Sequence, residues 1–341
     1  MQEHEALAAG ERTRRVMDHV TGGWRTQVVA ALARFGVADQ LANGPRDVAA
    51  LAQSAGAAID PFYRLLRAGA SLGILVESPA RTFALAEAGM ALREGAPGSV
   101  RNLAIMIASP GHWRPWERLE EAARTGKTQT DAALGADIWA YYRDHGPEGE
   151  IFSKAMAEMT GLLGDELAEV YDASWARLAV DVGGGVGSLL ASLLRKYPET
   201  RGIVFDQPQL GAAAGAYLAR AGVSDRVAFV AGDFFADVPT GGDLYVLKHI
   251  LHDWDDARCV TLLTHCSRAA LPHARLLVVE MPLDADRPDP MTPLLDLNML
   301  LLTGGRERTA AEYESLLKRG GWRLQRAVQA GMMSALEAVR A

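Results

Sequence analysis

The sequence predicts an α/β protein, with a parallel sheet covered by helices in its second half and a mainly helical winged unit ahead of it. Three observations carry this expectation. Helical periodicity dominates before residue 170, short apolar strands alternate with helical segments after it, and the first strand runs into the glycines of VDVGGGVGSLL. At 341 residues, 49% of them hydrophobic and 23% charged, the chain can bury more than one core. The expected division is an N-terminal unit over 1–100, a helical linker over 101–170 and a ligand-binding domain over 171–341.

The N-terminal stretch MQEHEALAAGERTRR mixes charged and apolar residues and holds no apolar core of signal-peptide length. No run elsewhere reaches the roughly 18 apolar residues of a spanning helix, so a cytoplasmic protein without a membrane partner is expected. The segments TQVVAALARFGVADQLA, RDVAALAQSAG and DPFYRLLRAGASLGIL follow, with apolar residues three and four apart and Gly, Asn or Pro at the breaks. LVESPARTFALAEAG then reads as a small hairpin. Helices followed by a hairpin describe a winged helix-turn-helix, a unit usually associated with DNA. Its charge argues otherwise. Between Gly36 and Gly95, Arg46, Arg64, Arg67, Arg81 and Arg93 face six acids, Asp39, Asp47, Asp60, Glu77, Glu87 and Glu94, leaving a net charge of -1. The whole chain carries 35 basic against 42 acidic residues and a net charge of -7, which gives no ground for nucleic acid as a partner. The unit is expected to serve packing or dimerisation.

Beyond residue 170, RLAVDVGGG, RGIVFDQP, RVAFVAGDFF, DLYVLKHIL and ARLLVVEMPL read as five buried strands, most of them separated by helical segments. Ligands of such sheets bind beyond the carboxyl ends of the strands. Asp181, Asp206, Asp233, His252 and Glu280 all fall at those ends. A single polar residue there is ordinary; five at successive strand ends point to one crevice. Cys259 and Cys266, seven apart, fit packing in a helix better than a disulfide or metal site.

The glycine stretch narrows the ligand. Gly183, Gly185 and Gly187 allow a tight turn and close backbone approach, but Ser188 stands where a dinucleotide fingerprint needs its last glycine. Asp181 would repel a pyrophosphate and suits an ammonium or sulfonium group. Asp206 can accept from both hydroxyls of a ribose, while Asp233 with Phe234 and Phe235 can bind an exocyclic amine and cover a purine. Together these features describe S-adenosylmethionine, with S-adenosylhomocysteine as its spent form.

The stretch LKHILHDWDD places two histidines three apart beside Trp254 and three aspartates. Asp253, Asp255 and Asp256 with the histidines resemble a metal set, yet adjacent acids at a helix start serve as caps, and no metal is expected. In order, VDVGGGVGSL, FDQP, GDFF, LKHILHDWDD, LVVE and GGRERTAAEYESLL resemble the successive motifs of plant and bacterial small-molecule O-methyltransferases, the caffeic acid and antibiotic-tailoring enzymes. The resemblance covers nearly the whole chain. It implies a class I methyltransferase Rossmann-like sheet and a homodimer formed through the winged unit. It implies His252 as general base flanked by Glu280 and Glu307, and cofactor contacts from Asp206, Gln207, Asp233 and Lys248, with Trp254 shielding the site. Phe152, Met156, Met159, Asn298, Met299 and Thr303 would face an aromatic acceptor. His112, in SPGHWRPW, would line the same pocket or simply pack.

The implied reaction is methyl transfer to a hydroxyl, phenolic in an aromatic acceptor, in natural-product biosynthesis. N-methylation, or a member of the family that has lost methyl transfer, remains open at this point. A ligand-sensing winged-helix regulator is opposed by the acidic balance, and a nicotinamide dehydrogenase by the glycine spacing.

Overall fold

The computed structural model describes residues 2–284 and 289–341. The chain forms two compact units, Met1–Pro110 and Gly111–Ala341. In the first, α1 (Gln2–Val20), α2 (Gly22–Arg34) and α3 (Val37–Gln40) precede β1 (Arg46–Asp47), α4 (Val48–Ala55) and α5 (Ile59–Ser71). The hairpin β2 (Leu75–Ser78) and β3 (Thr82–Leu85) follows, and then α6 (Arg101–Ile107). Helix α4 starts where Asp47 is extended and its carboxylate accepts from the Ala50 N–H at 3.0 Å, and it stops at the left-handed Gly56. Leu32, Leu51, Phe62, Leu66, Leu75 and Phe83 form the core of this unit. The sequence reading omits β1, whose two residues pair with β3 to complete a three-stranded sheet in the order β1-β3-β2. Two residues are too short to leave a period-two signal.

The second unit opens with helices α7 (Pro110–Trp116), α8 (Leu119–Thr125), α9 (Thr130–Leu134), α10 (Ile138–Asp144) and α11 (Gly146–Val170). Strand–helix alternation follows: β4 (Leu178–Val182), α12 (Ser188–Lys196), β5 (Arg201–Asp206), α13 (Gly211–Arg220) and β6 (Val227–Ala231). Next come β7 (Leu244–Lys248), α14 (Asp256–Ala269), β8 (Arg275–Glu280), α15 (Thr292–Leu302), α16 (Ala310–Arg319), β9 (Trp322–Ala330) and β10 (Met333–Arg340). The seven strands lie in the order β6-β5-β4-β7-β8-β10-β9. All pairs from β6 to β8 are parallel, and β10 runs antiparallel to both its neighbours.

The strand order reverses between β4 and β7, and an open α/β sheet offers its ligand crevice at such a reversal. Alternate residues feed the two faces. Val180, Leu247 and Val278 pack with Cys259, Cys266, Tyr313 and Trp322, whereas Val204, Val246 and Val279 pack with Leu167, Tyr171, Leu189 and Leu218. Both cysteines are buried and free. The C-terminal hairpin β9–β10 is absent from the five-strand expectation. Strand β10 is inserted between β8 and β9 and is buried along most of its length, while β9 is an edge strand exposed at most positions, so neither alternates cleanly. No described helix is long and apolar enough to cross a membrane.

Candidate functional site

Asp181 sits near the carboxyl end of β4, buried, and its Oδ2 has no hydrogen-bond partner among the described residues. Burial, reinforced by Asp206 and opposed by Lys248, pushes its pKa up to about 7. Gly183, Gly185 and Gly187 then turn the chain with φ of 72°, 59° and 83°. At Gly183 the left-handed φ favours glycine, and a Cβ would also meet the end of the Ile250 side chain. Asp206, the last residue of β5, pins this turn: Oδ2 accepts from the Gly185 N–H at 2.7 Å and Oδ1 from the Gln207 N–H at 2.7 Å. Gln207 accepts at Oε1 from Gln209. Asp233 lies two residues beyond β6 and accepts from the Phe235 N–H at 2.8 Å, which fixes the turn carrying both phenylalanines. Phe234 and Phe235 meet Trp254 edge-on at 6.0 and 4.7 Å, an aromatic wall suited to a flat ligand.

His252 lies on the 3-10 turn Leu251–Asp253 rather than on the strand β7 itself. Asp255 caps α14 by accepting from the Arg258 N–H at 2.8 Å. The His252 ring is buried, with two carboxylates at its Nδ1. Its Nδ1 lies 2.7 Å from Glu307 Oε1 and 3.6 Å from Glu280 Oε2. Glu280 ends β8, and its other oxygen accepts from the Ile250 and Leu251 N–H groups at 3.2 and 2.9 Å, so the strand end grips the turn that carries the ring. Glu307 is fixed by its own N–H, which donates to Asp296 of α15 at 2.8 Å.

A carboxylate on Nδ1 keeps a proton there, so in the neutral form of the ring the lone pair lies on Nε2. The Asp253 carboxylate stands 3.8 Å from Nε2, too far for a hydrogen bond. Burial by itself depresses the His252 pKa, but Glu280, Asp253 and the Glu307 bond outweigh it and raise the pKa to about 9. Burial also lifts Glu280 to about 7 and Asp253 to about 6. Donor atoms of His252, Glu280 and Glu307 lie within 4.8 Å of one another. Such a set could also hold a cation, but the direct 2.7 Å contact between Nδ1 and Glu307 fills the space that an ion between them would need.

Lys248 ends β7 facing this group. Burial draws its pKa down to about 8 against the pull of Glu280, Asp181 and Asp253. One ammonium therefore stands among several buried carboxylates, a composition that favours a cationic ligand.

Sequence reasoning missed Arg308 and Gly305. Arg308 is fully buried and donates from Nη1 to the Leu251 carbonyl at 2.8 Å and from Nη2 to the Trp254 carbonyl at 2.7 Å, with Asp256 at 3.0 Å. The intervening His252 carbonyl accepts from the Arg306 N–H at 2.8 Å. A Cβ on Gly305 would collide with that same carbonyl. Residues 305–308 thus hold the backbone of the turn as well as the His252 ring. The only sequence signal was their adjacency to Glu307.

On the acceptor side, Phe152, Met156 and Met159 follow one another four and three residues apart on α11, half-buried on one face. Asn298 and Met299 lie on α15, where Asn298 Oδ1 accepts from Trp116 Nε1 at 2.8 Å. The Thr303 hydroxyl donates to the Met299 carbonyl at 2.9 Å. His112 is buried on α7. Trp139, also missed, stacks on Trp254 at 6.5 Å and meets Phe152 at 6.0 Å, so an aromatic row joins the His252 turn to α11.

Comparison with known proteins bears on this geometry. The O-methyltransferase domain family matches residues 116–323, and the O-methyltransferase dimerisation domain matches residues 17–94. The chain is 37% identical over 326 residues to a phenazine O-methyltransferase, PhzM, of Lysobacter antibioticus, covering 96% of this chain and 95% of that protein. It is 36% identical to a mitomycin biosynthesis 6-O-methyltransferase of Streptomyces lavendulae, covering 96% and 93%. The structure of human N-acetylserotonin methyltransferase in complex with S-adenosylmethionine superimposes with a TM-score of 0.90 at 31% identity, covering 97% of this chain and 98% of that one.

Proposed function

The chain belongs to the S-adenosylmethionine-dependent O-methyltransferase family, and from that premise we propose that it methylates a phenolic hydroxyl of an aromatic small molecule with His252 as general base. One observation carries this reading: His252 Nδ1 is bound by Glu307 at 2.7 Å, while Nε2 is left without a hydrogen bond beside the ligand crevice. When bound, S-adenosylmethionine supplies a methyl group on a sulfonium, so a phenolate acceptor and the methyl donor annihilate charge toward the transition state. Asp181, with its unpartnered buried oxygen, would hold the cationic amino-acid end, Asp206 the ribose, and Asp233 with Phe234, Phe235 and Trp254 the adenine. Gln207 and Lys248 complete that side.

A phenol, with a pKa of about 10, is mostly protonated near neutrality, so Nε2 has to take its proton. Glu307 and Glu280 then stabilise the imidazolium and keep the ring in one orientation. Burial of this group excludes water, which favours charge annihilation. Phe152, Met156, Met159, Met299, Asn298, Thr303 and His112 would line the acceptor pocket, the methionines adapting to an aromatic ring. In this reading 1–100 is the dimerisation unit, 101–170 contributes to the pocket and 171–341 binds the cofactor. Val16, Met17, Val20 and Trp24 project from α1 and α2 and are at least half exposed, an apolar stripe that a partner subunit would cover. By analogy with the phenazine and mitomycin-biosynthesis relatives, the chain would tailor an aromatic metabolite, in the cytoplasm.

The test is transfer of labelled methyl from S-adenosylmethionine to a panel of phenols by the wild type and by His252→Ala. The variant should lose about 10²- to 10⁴-fold in kcat, with calorimetric affinity for the cofactor little changed. Equal turnover by the two proteins would refute the assignment of the base.

A further inference from the structure

His249 is the residue in this region that the reaction does not yet use. It follows β7 directly and has a φ of 52°, which places a non-glycine residue in the left-handed region. Such backbone is retained where the surrounding structure fixes it. Here the His249 N–H still donates to the Val279 carbonyl of β8 at 3.0 Å, while the ring lies nearly parallel to that of His252, with centroids 4.9 Å apart and an interplanar angle of 23°.

The protonation of this ring follows from its neighbour. Lys248 Nζ lies 3.4 Å from His249 Nδ1, and an ammonium can only donate, so Nδ1 accepts. Burial, then the charges of Lys248 and His252, drive the His249 pKa well below its ordinary value, so the ring is neutral. A neutral imidazole that accepts at Nδ1 carries its proton on Nε2. That Nε2–H is buried and has no partner among the described residues. A buried donor without an acceptor is unfavourable until a ligand supplies one.

We propose that His249 is a specificity-determining residue whose Nε2–H donates to a hydrogen-bond acceptor standing ortho or peri to the hydroxyl that His252 deprotonates. The substrate class is then hydroxyarenes with a carbonyl, alkoxy oxygen or ring nitrogen next to the reacting hydroxyl. The chemistry of that class explains the need. Its hydroxyl proton is shared with the neighbouring atom, and once His252 removes the proton that atom faces a phenolate with its hydrogen bond lost. A fixed neutral donor stacked on the base restores the bond without adding a charge. This deepens the reading of His252 as base for a phenol and rests on it.

The experiment compares positional isomers with and without an acceptor beside the hydroxyl, 1- against 2-hydroxyphenazine and 1- against 2-hydroxyanthraquinone, and reads the change in their ratio between variants so that differences in their own acidity and shape cancel. It measures kcat/KM for the wild type, His249→Phe and His249→Asn. Calorimetric affinity for S-adenosylmethionine and melting temperature monitor folding, since phenylalanine is strained at this φ. Wild type should favour the 1-isomers about ten- to hundredfold, the range for satisfying a buried donor. His249→Phe should collapse that ratio toward one, and His249→Asn, which tolerates the left-handed region and keeps a donor, should restore part of it. No wild-type preference for the 1-isomers, or an equal loss for both isomers in His249→Phe with cofactor affinity kept, overturns the proposal. A wild type that binds S-adenosylmethionine but methylates neither these isomers nor any simple phenol overturns the phenolic reading beneath it, and the proposal with it.

Discussion

Replacing Glu307 by Gln tests the charge arrangement at His252 directly. The 2.7 Å contact from Nδ1 to Glu307 Oε1 is a bond to a charged group, worth about 1.5–3 kcal/mol, whereas a neutral amide accepting in the same place is worth about 0.5–1.5 kcal/mol. The difference, about 1–2 kcal/mol, corresponds to about one pKa unit. His252 stands near 9 in the wild type, and Glu280 and Asp253 remain in the variant, so its pKa should move down to about 8 by this reckoning. The sign follows: a base that is harder to protonate becomes free at lower pH, so the acidic limb of kcat/KM shifts downward. The plateau should fall about tenfold, because the ring is a weaker base and its charged form is less stabilised. The assay is initial methyl transfer at low acceptor concentration between about pH 6 and 10. Two phenols of different acidity separate the enzyme's limb from the substrate's own ionisation. A limb that stays in place or moves upward in Glu307→Gln would refute this account of the His252–Glu307 pair.

Two further outcomes follow from the same geometry. The Asp181 pKa, raised to about 7 by burial, means that below this pH the carboxyl is neutral and pairs poorly with a cation. Calorimetric affinity for S-adenosylmethionine should therefore rise about five- to tenfold from pH 6 to 8 in the wild type and change less in Asp181→Asn, where Lys248 and Glu280 still titrate in this range, and an equal pH dependence in the two proteins would contradict the role of Asp181. Arg308→Met should strip donors from the Leu251 and Trp254 carbonyls and cost about 2–4 kcal/mol of stability, read as a lower melting temperature, and Arg308→Lys should recover part of it. If Arg308 positions the base, kcat should fall in both variants while affinity for the cofactor holds; unchanged kcat would leave it a purely structural residue.

The sequence by itself determined the ligand class and the fold around it. Each signal was local: a glycine turn directly after an apolar strand, an acid at the end of the next, an acid with two phenylalanines beyond the third. Backbone alternation and turn chemistry act over a few residues, so they are visible in a linear chain, and the alternation of strands with helices indicated a parallel sheet, whose strand order only the tertiary structure supplies. Tertiary structure decided what depends on distant partners. Glu307 lies 55 residues from His252 and reaches its ring only because the 305–308 segment passes over the turn after β7. Nothing in the linear stretch GGRERT sets Arg308 apart, whereas in the fold its guanidinium donates to the Leu251 and Trp254 carbonyls on either side of His252. Trp139 joined the aromatic row, β10 entered between β8 and β9, and His249 gained its neutral ring from Lys248 and burial, none of which a spacing encodes. The pKa values have the same origin: a side chain's charge is set by the water it loses and the charges that replace it, and those are supplied by the packing of segments far apart in the chain.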